Sequence, residues 1–570
     1  MIPALLQPIL DAVAATVAPL SPDGLGEVES VAPTGNPAHG DYQWNFAFRI
    51  AKAQRMNPRA LAERLAPLLQ HPAITKVEVA GPGFINLTLD DAWIARTVAA
   101  QVAEPNVGIA PEGAGRTVII DFSSPNVAKR MHIGHMRSTH IGDALVRMHR
   151  ASGWNVVGDN HIGDWGTQFG KLIVAYRSWL DPEAFEADPI GELERLYVEF
   201  GRRAKEDPAL GDAARAEIAK LQKGDPENTA LWRQFLAISM AEFEAVYRRL
   251  GIRFDEVLGE SAYRDLTDQV VTDLLAAGIA EVSEGATIVR FEHDVAIFRK
   301  KDGADNYGTS DIACLRYREA RWHPARIVYV VDMRQQRHFQ QVFEVGRRLG
   351  ATDAELVHVW FGMLVLPEGV KMGTREGNVI RLVDLLDESV RRARAVVDAK
   401  SPNLDEAERA AIAEAVGVGA VRYADLSQNP QTNVTFDWDR MLSLEGNTAP
   451  YLLYSHARCA SVLAKALRPE EGGEAPDLGA IVIGHPLERE LLLALARYPE
   501  MVAAATRGFR PNQLAEHLFE VANRFNRFYH DCPVLKGGEA RASRLALVEA
   551  TRRVLRHGME LLGLSVLDRM

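Results

Sequence analysis

Residues 117–145 read TVIIDFSSPNVAKRMHIGHMRSTHIGDAL and join two kinds of pattern. The stretch begins with an apolar run typical of a buried strand, and the pattern becomes helical from about His135. His132, Gly134 and His135 therefore lie on a turn between a strand and a helix. In an open α/β sheet, ligands bind at such turns, beyond the carboxyl ends of the strands.

The alternation of strands and helices extends well beyond this stretch. Apolar runs typical of strands recur as VIIDF, WNVVGD, RIVYVVD and ELVHVWF, and helical patterns follow several of them. This alternation predicts an α/β fold with a doubly wound parallel sheet. Residues from about 180 to about 290 are mostly charged and helical, which predicts a helical insertion into the sheet domain.

The chain has 570 residues, which is too long for a single core, and we predict three domains. Residues 1–110 form a small α/β domain, with a helix in NPRALAERLAPLLQ and a strand pair in VEVAGPGFINLTL. Residues 111–385 form the sheet domain, and residues 386–570 form an all-α helix bundle. Apolar residues at helical spacing in the bundle predict its core: Leu514, Leu518, Val521, Phe525 and Phe528.

Composition limits the class of protein. Hydrophobic residues make up 47% and charged residues 25% of the chain, as in soluble globular proteins. The net charge of −11 excludes a general nucleic-acid coat, although residues 501–570 carry 11 Arg and Lys against 7 Asp and Glu. Three widely spaced cysteines predict neither a disulfide framework nor a zinc ribbon, and they fit a reducing cytoplasm. The apolar first 20 residues lack the features of a signal peptide or a membrane span, so we expect an amphipathic helix there.

The HIGH turn, residues 132–135, has the chemistry of a phosphate site. A helix N-terminus offers unpaired N–H groups and the positive end of a dipole, and both attract anions. Gly134 lets the backbone approach a ligand, His132 and His135 add donors, and Lys129 adds a cation. Such a site can stabilise charge that develops in a transition state. Two alternatives remain: the histidines only cap the helix, or they bind zinc, although no cysteine or HExxH helix accompanies them.

A second constellation is YGTSD, residues 307–311. Tyr307 and Asp311 are four residues apart at a predicted helix start, with Thr309 or Ser310 as the expected cap. Asp311 either complements the helix dipole or pairs with a guanidinium, whose planar fork of donors matches a carboxylate.

Three further stretches each allow two interpretations. KMGTREGN, residues 371–378, is either a basic loop that closes over a triphosphate or an ordinary surface loop. HIGDWGTQFG, residues 161–170, either lines a nucleotide or only shapes its own loop. The aromatic and basic residues of the C-terminal region either stack on RNA bases or are half-buried in a helix: Tyr451, Tyr454, His456 and Arg458.

Together these stretches resemble class I aminoacyl-tRNA synthetases, in the form typical of arginyl-tRNA synthetases. DFSSPNVAKRMHIGHMRST resembles the HIGH signature of that family. The resemblance spans essentially the whole chain in family order, through GDYQWNFAFRIAK, HIGDWGTQFG, YGTSDIACLRYR, VVDMRQQRHF, KMGTREGNVI and EGNTAPYLLYSHAR. It implies a Rossmann-like catalytic domain, an N-terminal domain that contacts the tRNA elbow, and a helical anticodon-binding domain at the C-terminus.

The resemblance also implies roles for individual residues. Arginine would contact Asp121, Ser124, Asn126, His135, Tyr307, Asp311 and Gln335. ATP would contact Lys129, His132, His135, Gly163, Asp164, Gln168, Lys371, Met372 and Arg375, and the catalytic set would be Lys129, His132, Gly134, His135 and Lys371. Asp121 is one methylene shorter than the glutamate of many relatives. Thr374 replaces the usual second lysine of the KMSKS-like loop, and Lys129 is expected to compensate. Tyr451, Tyr454, His456 and Arg458 would contact tRNA.

The implied function is arginine–tRNA ligation in translation. L-arginine would react with ATP, accompanied by Mg²⁺, to give arginyl-adenylate, and the arginyl group would pass to the 3′-terminal adenosine of tRNA(Arg). The family generally needs bound tRNA before arginine is activated. We expect a cytoplasmic monomer with no metal site of its own and no membrane association. The alternatives are a catalytically silent paralogue that regulates by binding tRNA or arginine, and a class I synthetase of different specificity.

Overall fold

The structure is a computed structural model, and it describes residues 31–34, 36–45, 47, 48, 51, 55–365, 380–401, 403–471, 473 and 475–570. The chain forms two compact units. One contains the described residues up to Glu112 together with Ser443–Met570, and the other is Gly113–Leu442. The amphipathic helix predicted for residues 1–20 lies outside the described residues.

The N-terminal part of the first unit is a small α/β structure. Its elements are β1 (Val31–Pro33), β2 (Tyr42–Trp44), α1 (Pro58–Leu65), β3 (Ile74–Ala80), β4 (Phe84–Leu89) and α2 (Asp91–Ala103). The four strands form an antiparallel sheet in the order β1-β2-β4-β3. Strand β4 buries Ile85, Leu87 and Leu89, which alternate along one face. The predicted helix and strand pair are therefore confirmed.

The second unit contains the central sheet and most of the helices of the α/β pattern. Its elements are β5 (Thr117–Asp121), α3 (Ile133–Ala151), β6 (Asn155–Asp159), α4 (Thr167–Trp179), α5 (Pro182–Ala187), α6 (Pro189–Arg203), α7 (Ala209–Gln222), α8 (Pro226–Leu250), α9 (Arg264–Ala276), β7 (Ala280–Ser283), β8 (Ala286–Arg290), β9 (Val295–Arg299), α10 (Tyr307–Trp322), β10 (Arg326–Asp332), α11 (Gln336–Leu349), β11 (Glu355–Phe361), β12 (Leu364–Val365), α12 (Leu382–Lys400), α13 (Glu406–Leu426), β13 (Val434–Thr435) and α14 (Trp438–Met441).

The central sheet is parallel, with strand order β11-β10-β5-β6, and all four predicted strands are confirmed. Ile119, Ile120, Ile327 and Val328 are fully buried, as expected for strands covered on both faces. The chain passes from β5 to β6 in one direction, whereas β10 and β11 lie on the other side of β5. At such a reversal, doubly wound sheets bind ligands beyond the carboxyl ends of the strands, which here are those of β5 and β10.

The insertion between α4 and α10 is helical only in part. Helices α5 to α9 confirm the prediction, but β7, β8 and β9 form a three-stranded antiparallel sheet that the sequence analysis did not predict. Strands β7 and β8 are joined by Glu284 and Gly285, which both have positive φ angles of 50° and 80°. A two-residue turn of this kind matches the twist of a hairpin, which explains why the chain folds back at this point.

The boundary predicted at residue 385 differs from that of the compact unit, which extends to Leu442. Helices α12 and α13 belong to the unit of the central sheet, and charged groups join α13 to it. Arg422 on α13 donates to the carboxylate of Asp143 on α3, and both side chains are buried. Arg249 at the end of α8 lies 2.8 Å from Glu414 on α13.

The C-terminal part of the first unit is helical, with α15 (Ala449–Ala466), α16 (Pro486–Ala496), α17 (Tyr498–Arg507), α18 (Pro511–Asp531) and α19 (Arg541–Leu561). The apolar stripe of α18 predicted from the sequence is fully buried. These helices share one compact unit with the N-terminal sheet, and Arg489 on α16 donates to both carboxylate oxygens of Asp41 at 2.9 Å. No helix in the described parts of the chain is long and apolar enough to cross a membrane.

Candidate active site and tRNA surface

The HIGH turn lies between the end of β5 and the start of α3. His132 is the N-cap of α3, and its Nδ1 accepts a hydrogen bond from the backbone N–H of Gly134 at 3.0 Å. The Nδ1 of His135 accepts one from the backbone N–H of His132 at 3.1 Å. The two rings lie side by side, with centroids 3.9 Å apart. The capping interpretation is therefore correct as a description of the geometry.

Besides capping the helix, these two rings can donate hydrogen bonds to a ligand. Burial is the main cause that lowers the pKa of His132, and Lys129 adds to it. Burial, His132 and Lys129 lower the pKa of His135 to about 3. Both rings are thus neutral near pH 7, and since each Nδ1 accepts, each Nε2 carries the proton. The turn keeps two Nε2–H donors that an anionic ligand can use.

Gly134 is required by the packing of this turn. A Cβ atom at this position would lie 2.7 Å from Cε1 and 2.8 Å from Nδ1 of His132. Gly134 is exposed in the structure, so its backbone is open to a ligand. Among the described residues, no group of three or more His, Cys, Asp or Glu is arranged to hold a metal ion.

Lys129 stands just ahead of the turn. Its Nζ lies 4.5 Å from the ring centroid of Tyr197 on α6, and burial lowers its pKa. The next residue, Arg130, had no predicted role, and it forms ion pairs with Asp188 and Glu242 in the helical insertion. Lys129 is therefore the basic side chain of this stretch that lies beside the HIGH turn, whereas Arg130 pairs with acidic residues of the insertion.

The SSPN loop connects β5 to the turn, and its backbone is strained. Ser123 and Ser124 both have positive φ angles, of 74° and 49°. The Ser124 backbone N–H donates to Asn160 Oδ1 at 3.0 Å, which offsets part of this strain. Asn126 is exposed at the end of the loop. The two residues predicted to contact the polar end of arginine thus lie at the carboxyl end of β5.

Asp121 is occupied by protein groups. Its Oδ2 accepts from Nη2 of Arg318 at 2.6 Å, and its Oδ1 accepts from the Ser124 hydroxyl at 3.2 Å. The same Arg318 nitrogen lies 2.6 Å from Asp159 at the end of β6. Arg318 is fully buried on α10, so it clamps the ends of two strands together. Arg318 had no predicted role, although the stretch YGTSDIACLRYR ends at this residue.

Two side chains of the loop of residues 161–170 make hydrogen bonds within the protein. Asp164 accepts hydrogen bonds from the backbone N–H and the hydroxyl of Ser261, at 2.8 and 2.6 Å. The Gln168 amide donates to the Trp165 carbonyl at 2.9 Å. Gly163 packs on Asn126, since a Cβ at Gly163 would lie 2.3 Å from Asn126 Oδ1. The loop-shaping alternative therefore holds for Asp164.

The side pocket is formed by the starts of α10 and α11. Helix α10 begins at Tyr307 after Asn306, so the expected Thr309 or Ser310 cap is wrong. Tyr307 is exposed, and Asp311 follows one turn later on the same face of the helix. Gln335 precedes α11, and its side chain is exposed and makes no capping hydrogen bond. The starts of α10 and α11 thus carry a phenol, a carboxylate and an exposed amide.

Asp311 is held by His338, in the first turn of α11. The Nε2 atom of His338 lies 2.6 Å from Oδ2 of Asp311, and this carboxylate raises the pKa of His338 against the opposing effect of burial. The imidazole therefore donates to Asp311.

Glu260 is a pocket residue that the sequence analysis missed. Burial and the carboxylates of Asp311 and Asp164 raise its pKa to about 7, although His161 opposes them. Glu260 in turn raises the pKa of Tyr307, together with burial. Among the described residues, no ion pair joins the Glu260 carboxylate. Its sequence context, LGESAY, gave no signal because a lone glutamate in a loop is usually solvated.

The KMGTREGN loop lies outside the described residues, and with it Lys371, Met372, Thr374 and Arg375. The residues that follow the loop are attached to the HIGH turn. The Ile133 N–H donates to the Ile380 carbonyl at 3.2 Å, and the Leu382 N–H donates to the Met131 carbonyl at 3.0 Å.

The predicted tRNA residues lie on α15 in the first unit and separate into two groups. Tyr454 is exposed, and the Arg458 guanidinium lies 4.7 Å from its ring and 5.4 Å from that of Tyr529. His456 is fully buried, and its Nδ1 bonds the Leu567 carbonyl at 3.0 Å. Burial lowers its pKa to about 4. His456 therefore belongs to the core of the helical region and not to a tRNA surface.

Tyr451 and Arg458 are tied to α18. The Asn526 amide donates to the Tyr451 hydroxyl at 2.9 Å and accepts from Arg458 at 2.7 Å. Both side chains are half-buried. The aromatic and cationic surface that stays open to solvent consists of Tyr454, Tyr529 and the free edge of Arg458.

Three family models match the chain in succession. The arginyl-tRNA synthetase N-terminal domain matches residues 7–89, the catalytic domain of class I tRNA synthetases (R) matches residues 99–438, and the DALR anticodon-binding domain matches residues 452–570. Fold and site thus define a class I aminoacyl-tRNA synthetase. The chain belongs to the arginyl-tRNA synthetase family, which confirms the resemblance inferred from the sequence.

Individual relatives agree with this assignment. The chain is 46% identical to an arginine–tRNA ligase of Fusobacterium nucleatum, over 94% of each chain. It is 44% identical to one of Chloroflexus aggregans, over 92% of each chain. Its fold superposes on the crystal structure of arginyl-tRNA synthetase from Plasmodium falciparum with a TM-score of 0.84, 25% identity and full coverage of both chains.

Proposed function

We propose that the arginine–tRNA ligase reaction of this chain takes place at the carboxyl ends of β5 and β10, in two steps. In the first step, a carboxylate oxygen of L-arginine attacks the α-phosphate of ATP. The new oxygen–phosphorus bond forms as the bond to the bridging oxygen breaks, and diphosphate leaves. The protein contributes alignment of the two reactants and stabilisation of phosphate charge.

One observation supports arginine specificity: two carboxylates share the side pocket, and Glu260 has no ion pair with any residue that the structure describes. Asp311 lies close enough to Glu260 to disfavour the ionised form of the Glu260 carboxyl group. A guanidinium removes this repulsion, and its planar fork of donors suits carboxylates better than a point charge does. Tyr307 covers the pocket, and the Gln335 amide supplies a further acceptor.

The polar end of arginine belongs at the SSPN loop. Ser124 and Asn126 lie at the end of β5, and His135 presents its Nε2–H from the adjacent turn. We assign Asp121 to the clamp with Arg318 and not to the substrate, since its two oxygens accept hydrogen bonds from protein donors.

The ATP phosphates belong at the HIGH turn. His132 and His135 donate from neutral rings, Gly134 brings the backbone close, and Lys129 adds the positive charge. We propose that Lys371, Met372 and Arg375 cover the phosphates from the KMGTREGN loop, and that Gly163 and Gln168 line the nucleotide. Mg²⁺ would arrive with ATP and neutralise phosphate charge, with no protein ligand assigned to it.

In the second step, the 2′-hydroxyl of the terminal adenosine attacks the carbonyl carbon of arginyl-adenylate. The ester bond forms, the bond to the phosphate oxygen breaks, and AMP leaves. We propose that tRNA(Arg) is held through Tyr454 and Arg458 of the helical region and through the N-terminal domain at its elbow. We further propose that the enzyme is a cytoplasmic monomer.

The decisive experiment is charging of tRNA transcripts with each amino acid by the wild type and by Asp311→Asn. We expect charging with arginine alone, lost in the variant. Asp265→Asn is the matched control, because its carboxylate is 86% exposed on α9 in the same unit. Binding of tRNA without charging would favour a regulatory paralogue, and charging with another amino acid would refute the account of the pocket.

Measurement of arginine activation by ATP–diphosphate exchange tests whether tRNA must bind first. We expect little ATP–diphosphate exchange with arginine alone and clear exchange when tRNA is added. Exchange at full rate without tRNA would contradict this expectation.

A further inference from the structure

His338 connects the two elements that carry the arginine pocket. Tyr307 and Asp311 lie on α10, whereas Gln335 precedes α11, and His338 lies in the first turn of α11. Its Nε2 bonds Oδ2 of Asp311 at 2.6 Å. The side chains of His338 and Asp311 are 28% and 18% exposed, so this hydrogen bond is largely shielded from water.

Such a contact controls the orientation of the carboxylate. The terminal torsion of an aspartate side chain is broad, so an Asp without a partner samples many planes. A guanidinium binds a carboxylate best through two parallel hydrogen bonds in a common plane. A donor fixed on one oxygen selects one carboxylate plane, and it leaves Oδ1 and the second lone pair of Oδ2 for a ligand.

We propose that His338 is a positioning residue for arginine specificity, which fixes the plane of the Asp311 carboxylate so that it accepts a guanidinium fork. This inference rests on the proposed function. His338 acts through Asp311 and has no role in the attack on the phosphate. Its loss should therefore weaken the use of arginine without changing the use of ATP.

The test compares His338→Ala, His338→Gln and His338→Asn by tRNA charging kinetics. The amide nitrogen of glutamine can occupy the place of the imidazole Nε2, whereas asparagine is too short to reach Asp311. For His338→Ala and His338→Asn we expect the KM for arginine to rise about 10- to 100-fold, with the KM for ATP unchanged. We expect His338→Gln to stay within a few-fold of the wild type.

A second readout is discrimination between arginine and lysine. A carboxylate that rotates freely accepts the compact ammonium of lysine relatively better than a planar fork. The ratio of kcat/KM for arginine to that for lysine should therefore fall in His338→Ala and recover in His338→Gln. A role in folding alone would not change this ratio.

The control is Gln341→Ala, one turn further along α11. The Gln341 amide donates to Asp294, so this variant removes a polar contact of the same helix without touching Asp311. An unchanged KM for arginine in His338→Ala, or equal kinetics of the Gln and Asn variants, would refute the inference. Failure of the wild type to charge arginine would instead refute the proposed function. If His338→Ala does not fold, the comparison of Gln with Asn still decides.

Discussion

The Nε atom of Arg137 lies 2.8 Å from Oδ1 of Asp425, and both side chains are buried. Arg137 follows His135 by two residues on α3, whereas Asp425 lies near the end of α13. Arg137 also donates to the carbonyls of Gly362 and Thr432, at 2.7 and 2.8 Å. The helix that begins with the HIGH turn is thus fixed to α13 and to the segment after β11.

Asp425→Asn should destabilise this unit strongly. Removing one partner of a buried pair leaves the other charge uncompensated, which costs about 3 to 5 kcal/mol. Urea unfolding of the full-length chain measures the change. Arg391→Gln, which breaks an exposed pair with Glu388 on α12, serves as the control and should leave the unfolding midpoint nearly unchanged. Equal midpoints of Asp425→Asn and the wild type would contradict the importance of the buried pair.

The use of arginine should depend on pH through Glu260. Its pKa of about 7 means that the carboxyl group is mostly neutral at pH 6 and mostly ionised at pH 8. Only the ionised form attracts a guanidinium, so kcat/KM for arginine should rise about tenfold from pH 6 to pH 8. Deprotonation of His338 would also raise kcat/KM for arginine, because it removes a positive charge from the pocket.

The variant Glu260→Gln separates the contribution of Glu260 to this pH dependence from that of His338. We expect this variant to have a higher KM for arginine and to lose most of the pH dependence of kcat/KM. If Glu260→Gln keeps the pH profile of the wild type, the dependence arises from another group.

The imidazoles of His132 and His135 should be neutral near pH 7 and carry their protons on Nε2. Burial and Lys129 lower both pKa values, and both Nδ1 atoms accept backbone hydrogen bonds. Nitrogen-15 spectra of histidine-labelled protein, assigned with His132→Gln and His135→Gln, report the tautomer directly. Imidazolium signals from either residue near neutral pH would overturn this account of phosphate binding.

Lys129→Ala should slow adenylate formation by about 100- to 1000-fold, the range for loss of one donor that stabilises transition-state charge. ATP–diphosphate exchange in the presence of tRNA measures this step, and Lys129→Arg should retain part of the rate. Lys220→Ala, an exposed lysine on α7 paired with Glu217, is the control. Unchanged activation kinetics in Lys129→Ala would exclude Lys129 as the substitute for the lysine that Thr374 replaces.

Local patterns in the sequence were sufficient for most elements of the fold. The four strands of the central sheet are continuous apolar runs, and the stripe of α18 follows helical spacing, so each pattern reports burial directly. The hairpin of β7 and β8 was missed because its short strands mix charged and apolar residues within a mostly helical insertion. The predicted boundary at residue 385 falls inside the compact unit that extends to Leu442, because composition does not reveal which core a helix packs against.

The sequence by itself determined the order of the strands and helices along the chain, the position of the HIGH turn and the family, because these depend on neighbouring residues in the chain. The tertiary structure decided which polar side chains face a ligand. In the folded chain, Asp121 is hydrogen-bonded to Arg318, and Asp164 is hydrogen-bonded to Ser261. His456 is buried, and Glu260 lies in the arginine pocket. The physical reason is that the availability of a polar group depends on its burial and on its hydrogen-bond partners, and those partners lie on distant segments of the chain.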